Sequence, residues 1–223
     1  MVVLVRLRSR VPDPRVYRPV APTSQPAVVP EPSAGHRRLA VRSRRPFLLF
    51  ACFAALTTFG LLSAGIISYH VSQARLVPLA SVPLVYALGM LAAAVAAPVT
   101  GWLYDRRGAA VLLVVPVVTA LVPGLVLGRT LPAVLVGVVC WGAATGVQDS
   151  TVKALVADLV PQAQRGAAYG TFAVFQGAAT FVGAGAAGAL YGDVPLLWGL
   201  VASLQVVALV LLLVVLRQSP GRR

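Results

Sequence analysis

Six long runs of apolar residues follow one another along this chain, near residues 47 to 69, 79 to 103, 109 to 127, 132 to 157, 167 to 191 and 195 to 216. A helix needs roughly 20 apolar residues to cross the hydrocarbon of a bilayer, and each run is about that long. Helix-starting and helix-breaking residues stand between them: Pro78 and Pro83 open the second run, Pro132 the fourth and Pro195 the sixth, while Pro161 parts the fourth from the fifth. The pattern predicts an all-α fold, an integral membrane six-helix bundle over residues 47–217 with basic tails at 1–46 and 218–223.

The runs differ in polarity. The third (Val111 to Leu127) and sixth (Leu196 to Leu216) are nearly pure aliphatic, which suits a scaffold in contact with lipid. Thr58, Gly65, Tyr69 and Ser72 recur at helical spacing on one face of the first run, and Trp141, Thr145, Gln148 and Asp149 do so on the fourth. Such stripes serve either a solute pathway or hydrogen bonds between helices. In the fifth run Gly166, Gly170, Ala173, Gly177, Thr180, Ala184 and Ala187 form a seam of small residues, with Gly183, Gly185 and Gly188 beside it. Small residues let helix backbones approach closely, so this run is expected to pack against a partner helix. Tyr169 and Gln176 face either a cavity or the bundle.

Composition agrees with a bilayer setting: 58% of residues are hydrophobic and 11% charged, against about 25% charged in soluble domains. The net charge of +13 does not form a basic face, because ten of the 19 basic residues lie in the first 46 positions. A nucleic-acid partner is therefore not expected; the lipid bilayer is. With the amino terminus inside, Lys and Arg divide 17 to 2 between the two sides, the minority being Arg75 and Arg129. The positive-inside rule thus places both termini in the cytoplasm. One lysine against 18 arginines is the bias of a GC-rich genome and points to a bacterial inner (plasma) membrane. Eight prolines and ten arginines make residues 1–46 a solvated, extended topogenic linker, and Met1 to Val5 is too short for a signal peptide. Cys52 and Cys140 fall within apolar runs and call for neither disulfide nor metal chemistry.

Between the second and third runs stands Gly101-Trp102-Leu103-Tyr104-Asp105-Arg106-Arg107-Gly108. Read by itself it is a tight cytoplasmic loop: Gly108 permits a positive φ at the reversal, Gly101 permits close approach of a helix, Asp105 suits a helix amino terminus, and Arg106 and Arg107 hold the headgroups. The pattern Gly-x-Leu-x-Asp-Arg-x-Gly resembles the loop signature of the major facilitator superfamily. The stretch from Gln148-Asp149-Ser150 to Arg165-Gly166-Ala167-Ala168-Tyr169-Gly170 is similar to the end of helix 10, the next loop and the start of helix 11 in that superfamily. The resemblance covers residues 47–217 and implies the carboxy-terminal half of a transporter, its helices 7 to 12. It departs at Ala109 and Ala110, where basic residues often follow the last glycine. It implies that Asp105 and its arginines act as a conformational gate between two halves, and that the first and fourth runs line the central cavity.

Asp149 lies about 26 Å along its helix from Pro132 at 1.5 Å per residue, toward the cytoplasmic edge. Lys153 follows one turn later in the acid-before-base order of an intrahelical ion pair; the other reading is a gate or proton-coupling role. Asp158 is expected in the headgroup region. His70 and Arg75, at the outer end of the first run, read as wet interfacial anchors.

Enzyme classes lack their residues here: there is no Gly-x-Ser-x-Gly elbow, no His-Glu-x-x-His pair and no paired carboxylates at mid-membrane depth. A channel would want an acidic filter ring or a re-entrant Gly-rich loop, and neither is present. The expected function is secondary active transport of a small-molecule substrate without a cofactor. The alternative is a truncated or split half that is inactive without a second transporter half, or that pairs with itself as a homodimer.

Overall fold

The computed structural model describes residues 34–152, 155, 160 and 165–218, with the side chains of 34–44, 151 and 218 left aside. The chain divides into two units, Met1–Arg38 and Leu39–Arg223, and everything below concerns the second apart from the start of the first helix at 34–38. Its helices are α1 (Ala34–Gly60), α2 (Ala64–Gln73), α3 (Val82–Arg107), α4 (Val114–Val126), α5 (Leu131–Val147), α6 (Arg165–Ala189) and α7 (Val194–Gln218). Short 3-10 turns, Leu79–Ser81 and Gly108–Leu113, lead into α3 and α4, and a π turn, Gln148–Val152, ends α5.

Local chemistry explains the ends. Ser63 caps α2, its Oγ accepting from the Ile66 N–H at 3.3 Å. The Asp193 carboxylate accepts from the Leu196 N–H at 3.1 Å and so starts α7, where it also meets the positive end of the helix dipole. Gly108 ends α3 with φ 65° and ψ −161°, a conformation side chains resist.

Five helical stretches among the described residues are long and apolar enough to cross a membrane, and the second, Leu79–Val126, has 48 residues. Straight, it would reach about 70 Å, more than twice the hydrocarbon thickness. It instead turns back at Gly108. Gly89 and Ala93 of α3 touch Gly142 and Gly146 of α5 in the same order, so these two helices run parallel. At the other end of α4, Leu125 and Val126 touch Gly137 of α5 across a short connection, so that pair is antiparallel. Helices α3 and α4 are therefore antiparallel, and the five stretches make the six passes that the hydropathy pattern predicts.

Several boundaries differ from that pattern. The first run is not continuous: helical bonding stops at Gly60 and resumes at Ala64. Residues 34–46, expected as extended linker, belong to α1, which carries Pro46 inside it; the Ala, Arg and Leu residues there are good helix formers. The fourth run leaves α-helical bonding at Gln148.

Two apolar clusters fill the interior, one at each end. Phe50, Phe53, Leu112, Phe172 and Leu212 pack at the end bearing Arg106 and Arg107. Val71, Val122, Val126, Val138, Trp141 and Leu197 pack at the other. Thr57, Thr119 and Gln205, all buried, fall between the two clusters on α1, α4 and α7. A layer of neutral polar groups thus crosses the middle of the bundle.

Candidate functional site

The polar layer is organised around the broken first helix. Where the helix ends at Gly60, its carbonyls lose some of their regular partners, and in a low-dielectric interior each unpaired carbonyl is destabilising. Side chains from neighbouring helices answer. The Gln205 Nε2 of α7 donates to the Leu56 carbonyl at 2.9 Å, and the Trp141 indole N–H of α5 donates to the Leu62 carbonyl at 2.7 Å. From α6, Gly183 comes so close to Phe59 that an added Cβ would lie 2.7 Å from its carbonyl oxygen. A Cβ on Gly60 would likewise meet the Gln205 amide at 2.5 Å and the Thr119 methyl at 2.9 Å. The break is therefore a packed feature held from three sides.

Two residues before the helix ends at Gly60, three side chains meet. The Thr58 hydroxyl donates to Gln148 Oε1 at 2.7 Å, and Gln176 Nε2 approaches the same oxygen at 3.4 Å and Thr58 Oγ1 at 3.5 Å. They come from α1, the π turn after α5, and α6. Thr58 stands 13 residues into the 29-residue stretch Arg45–Gln73, and Gln176 stands 11 residues into the 25-residue stretch Arg165–Ala189. Both counts put Thr58 and Gln176 near mid-depth, and Gln148 reaches them from 17 residues into the 20-residue stretch Leu131–Ser150, close to its end. The π turn, a distortion that recurs at functional sites, begins at Gln148 itself. Gln148 is 4% exposed, and its Nε2 has no hydrogen-bond partner; Thr119 Oγ1 and Gln205 Oε1 are likewise unpartnered and buried.

Of the polar stripes expected from sequence, Thr58 and Gln148 come together. Tyr69 does not join them: it lies beyond the break, half exposed, accepting from Gln73 Nε2 at 3.1 Å. Trp141 is buried and turned to the break, and the Thr145 hydroxyl donates back to the Trp141 carbonyl at 2.8 Å. Asp149 is exposed, and its expected partner Lys153, like Asp158, lies outside the described residues. Gln205 and Thr119 were hidden in runs that read as pure aliphatic. A lone glutamine in a run of Val and Leu was the available signal.

The gate segment is helical rather than a loop. Helix α3 continues through Arg107, so Gly101, Asp105, Arg106 and Arg107 are helix residues and the reversal rests on Gly108. Gly101 has open space where a Cβ would stand. Asp105 is exposed, and the Arg106 guanidinium lies 3.8 Å over the Trp102 ring, a cation–π contact on the outer surface.

The small-residue seam of α6 also differs from expectation. Gly166, Gly170, Gly177 and Gly188 have open space around them, and Gly183 alone of the five expected packing glycines meets a neighbouring backbone. Helix α6 instead holds to the bundle through Ala168, Phe172, Gly183 and Ala187. His70 is no solitary anchor. Its ring contacts the Tyr191 hydroxyl at 2.9 Å and the Gly128 carbonyl at 3.0 Å, which joins α2 to the ends of α4 and α6. The Gly128 carbonyl can only accept, so His70 Nε2 is the donor in that contact.

Comparison with known proteins fits this architecture. The family model of the Major Facilitator Superfamily matches residues 48–223. Proteins of Mycobacterium bovis and Mycobacterium tuberculosis, each named only as uncharacterized, are 37% identical over 213 residues, which cover 95% of this chain and 50% of theirs. The chain thus spans about half the length of these relatives. No solved structure matches it. A matched family model over most of its length, on a bundle of membrane-spanning helices, means that the chain belongs to the major facilitator superfamily of transporters.

Proposed function

We propose that the chain acts as the carboxy-terminal half of a secondary transporter of small solutes, and that the Thr58, Gln148 and Gln176 triad is this half's share of the solute site. The observation that carries the reading is the position of the triad: neutral hydrogen-bonding groups from three helices, near mid-depth, beside a helix that is broken at that level. Transporters built from repeats bind solute near the midplane at the interface between halves, where discontinuous helices expose polar backbone. The open glycine seam of α6 and the open flank at Gly101 are the faces a second six-helix half would cover. Asp105, with Arg106 and Arg107, then stands where a partner can complete the gate. The Lys and Arg distribution supports a bundle with both termini in the cytoplasm, and the arginine-over-lysine bias supports a bacterial plasma membrane.

Co-expression tests this. The chain is made alone, or together with the part of a mycobacterial relative outside the matched stretch, and solute uptake is followed in reconstituted vesicles. The half reading expects a monomer without uptake alone and uptake with the second half. A discrete dimer that transports by itself would replace the second half with a second copy. Uptake by a monomer would refute both.

A further inference from the structure

We infer that the solute taken by this site is uncharged and carries hydroxyl or amide groups; this rests on the reading of the mid-depth triad as the transport site. The first reason is the chemistry of the layer. Each Asp and Arg whose side chain is described is exposed, whereas the buried polar side chains among the described residues are Thr57, Thr119, Gln148 and Gln205, all neutral. An ionised solute in this layer would lose its hydration and meet no opposite charge among the described interior groups. A neutral solute exchanges hydrogen bonds with water for hydrogen bonds with the layer.

The second reason is the unfilled capacity of Gln148. Its Oε1 is served by Thr58 and Gln176, but its Nε2, attached to the same carbon and so at the triad itself, meets no acceptor. Turning the amide over would leave an oxygen unpaired in its place. A hydroxyl, both donor and acceptor, serves either arrangement, as does a second amide. Thr58 and Gln176 are both only partly buried, so an arriving solute meets them first, with Gln148 behind them.

The test uses two matched series that keep one carbon skeleton and change its charge: glucose, gluconate and glucosamine, then glycerol, glycerate and 2-amino-1,3-propanediol. Unfolding temperature in mild detergent is measured across a concentration range of each, for the chain co-purified with the second half as well as for the chain alone. The expected result is a saturable rise of about 3 °C with a neutral member and none with its charged counterparts. Gln176→Leu and Gln148→Leu are expected to abolish the rise, and Ser203→Ala, on the exposed face of α7, to leave it unchanged. Gln176, on the partly open side, supplies the decisive variant if Gln148→Leu does not fold. A rise with a charged member that needs Gln148 or Gln176 overturns the solute class while leaving the site. A neutral rise that survives Gln176→Leu, or that is lost in Ser203→Ala, overturns the assignment of the site to the triad. No rise with any member overturns the site and the class together.

Discussion

Helices α3 and α5 meet through Gly89, Ala93, Gly142 and Gly146, so closely that a Cβ on Gly142 or Gly146 would overlap the backbone of α3. Helix α6 carries an equally regular series, Gly166, Gly170, Gly177 and Gly188, with open space at every one. The two regions share their chemistry and differ in occupancy. No hydrophobic effect separates helix from lipid inside a bilayer, so backbone proximity and dispersion contacts decide which seam holds. The α3 and α5 seam is spent inside this chain. That of α6 stays open in this chain, next to the triad that Gln176 completes.

The largest expected effect breaks the filled seam. Gly142→Leu places a branched side chain against the Gly89 carbonyl, with nothing flexible to move aside, and should destabilise the bundle by about 3 kcal/mol or more. It is checked by unfolding temperature and by loss of a monodisperse peak in detergent. A fully stable variant would mean that α3 and α5 do not touch there.

Next come the side chains that hold the break beside the triad. Trp141→Phe keeps one aromatic ring but removes the donor to the Leu62 carbonyl and part of the buried indole, at an expected loss of about 1 to 3 kcal/mol. Gln205→Leu should lose about 1 kcal/mol, because the Leu56 carbonyl loses a donor while an already unpartnered Oε1 is removed with it. Thermal unfolding in one detergent ranks both against Gly142→Leu, and a Gln205→Leu effect equal to that of Gly142→Leu would show that the break, not the seam, limits stability.

The smallest effect is expected in the open seam. Gly170→Ala and Gly177→Ala in the chain alone should shift stability by less than about 0.5 kcal/mol, and toward greater stability, since alanine restricts the unfolded chain and meets no neighbour. The same variants should weaken co-purification with a second half. Loss of stability in the chain alone would place a neighbour on that face already.

The sites that sequence revealed were those with a local signature. Gly108 stood out because a chain reversal between two apolar runs favours a residue free to adopt a positive φ, and it has one, at 65°. Thr58 and Gln148 stood out because polar residues are expensive in an apolar run. Gln205 and Thr119 carry the same signal but were diluted by aliphatic neighbours. The Gly89 and Gly142 seam has the same four-residue spacing as the one in α6, and spacing alone does not rank them.

By itself, the sequence determined what depends on neighbours along the chain: the bilayer as solvent, the number of passes, the reversal at Gly108 and the family motif around Asp105 and Arg106. Hydropathy and turn chemistry are read over a window of about 20 residues, which is the thickness of the membrane. Only the tertiary structure decided which seam is filled, where the first helix breaks and that Thr58, Gln148 and Gln176 meet. Those contacts join residues 90 and 118 positions apart. They depend on the rotation and depth of each helix against the others, and packing sets both.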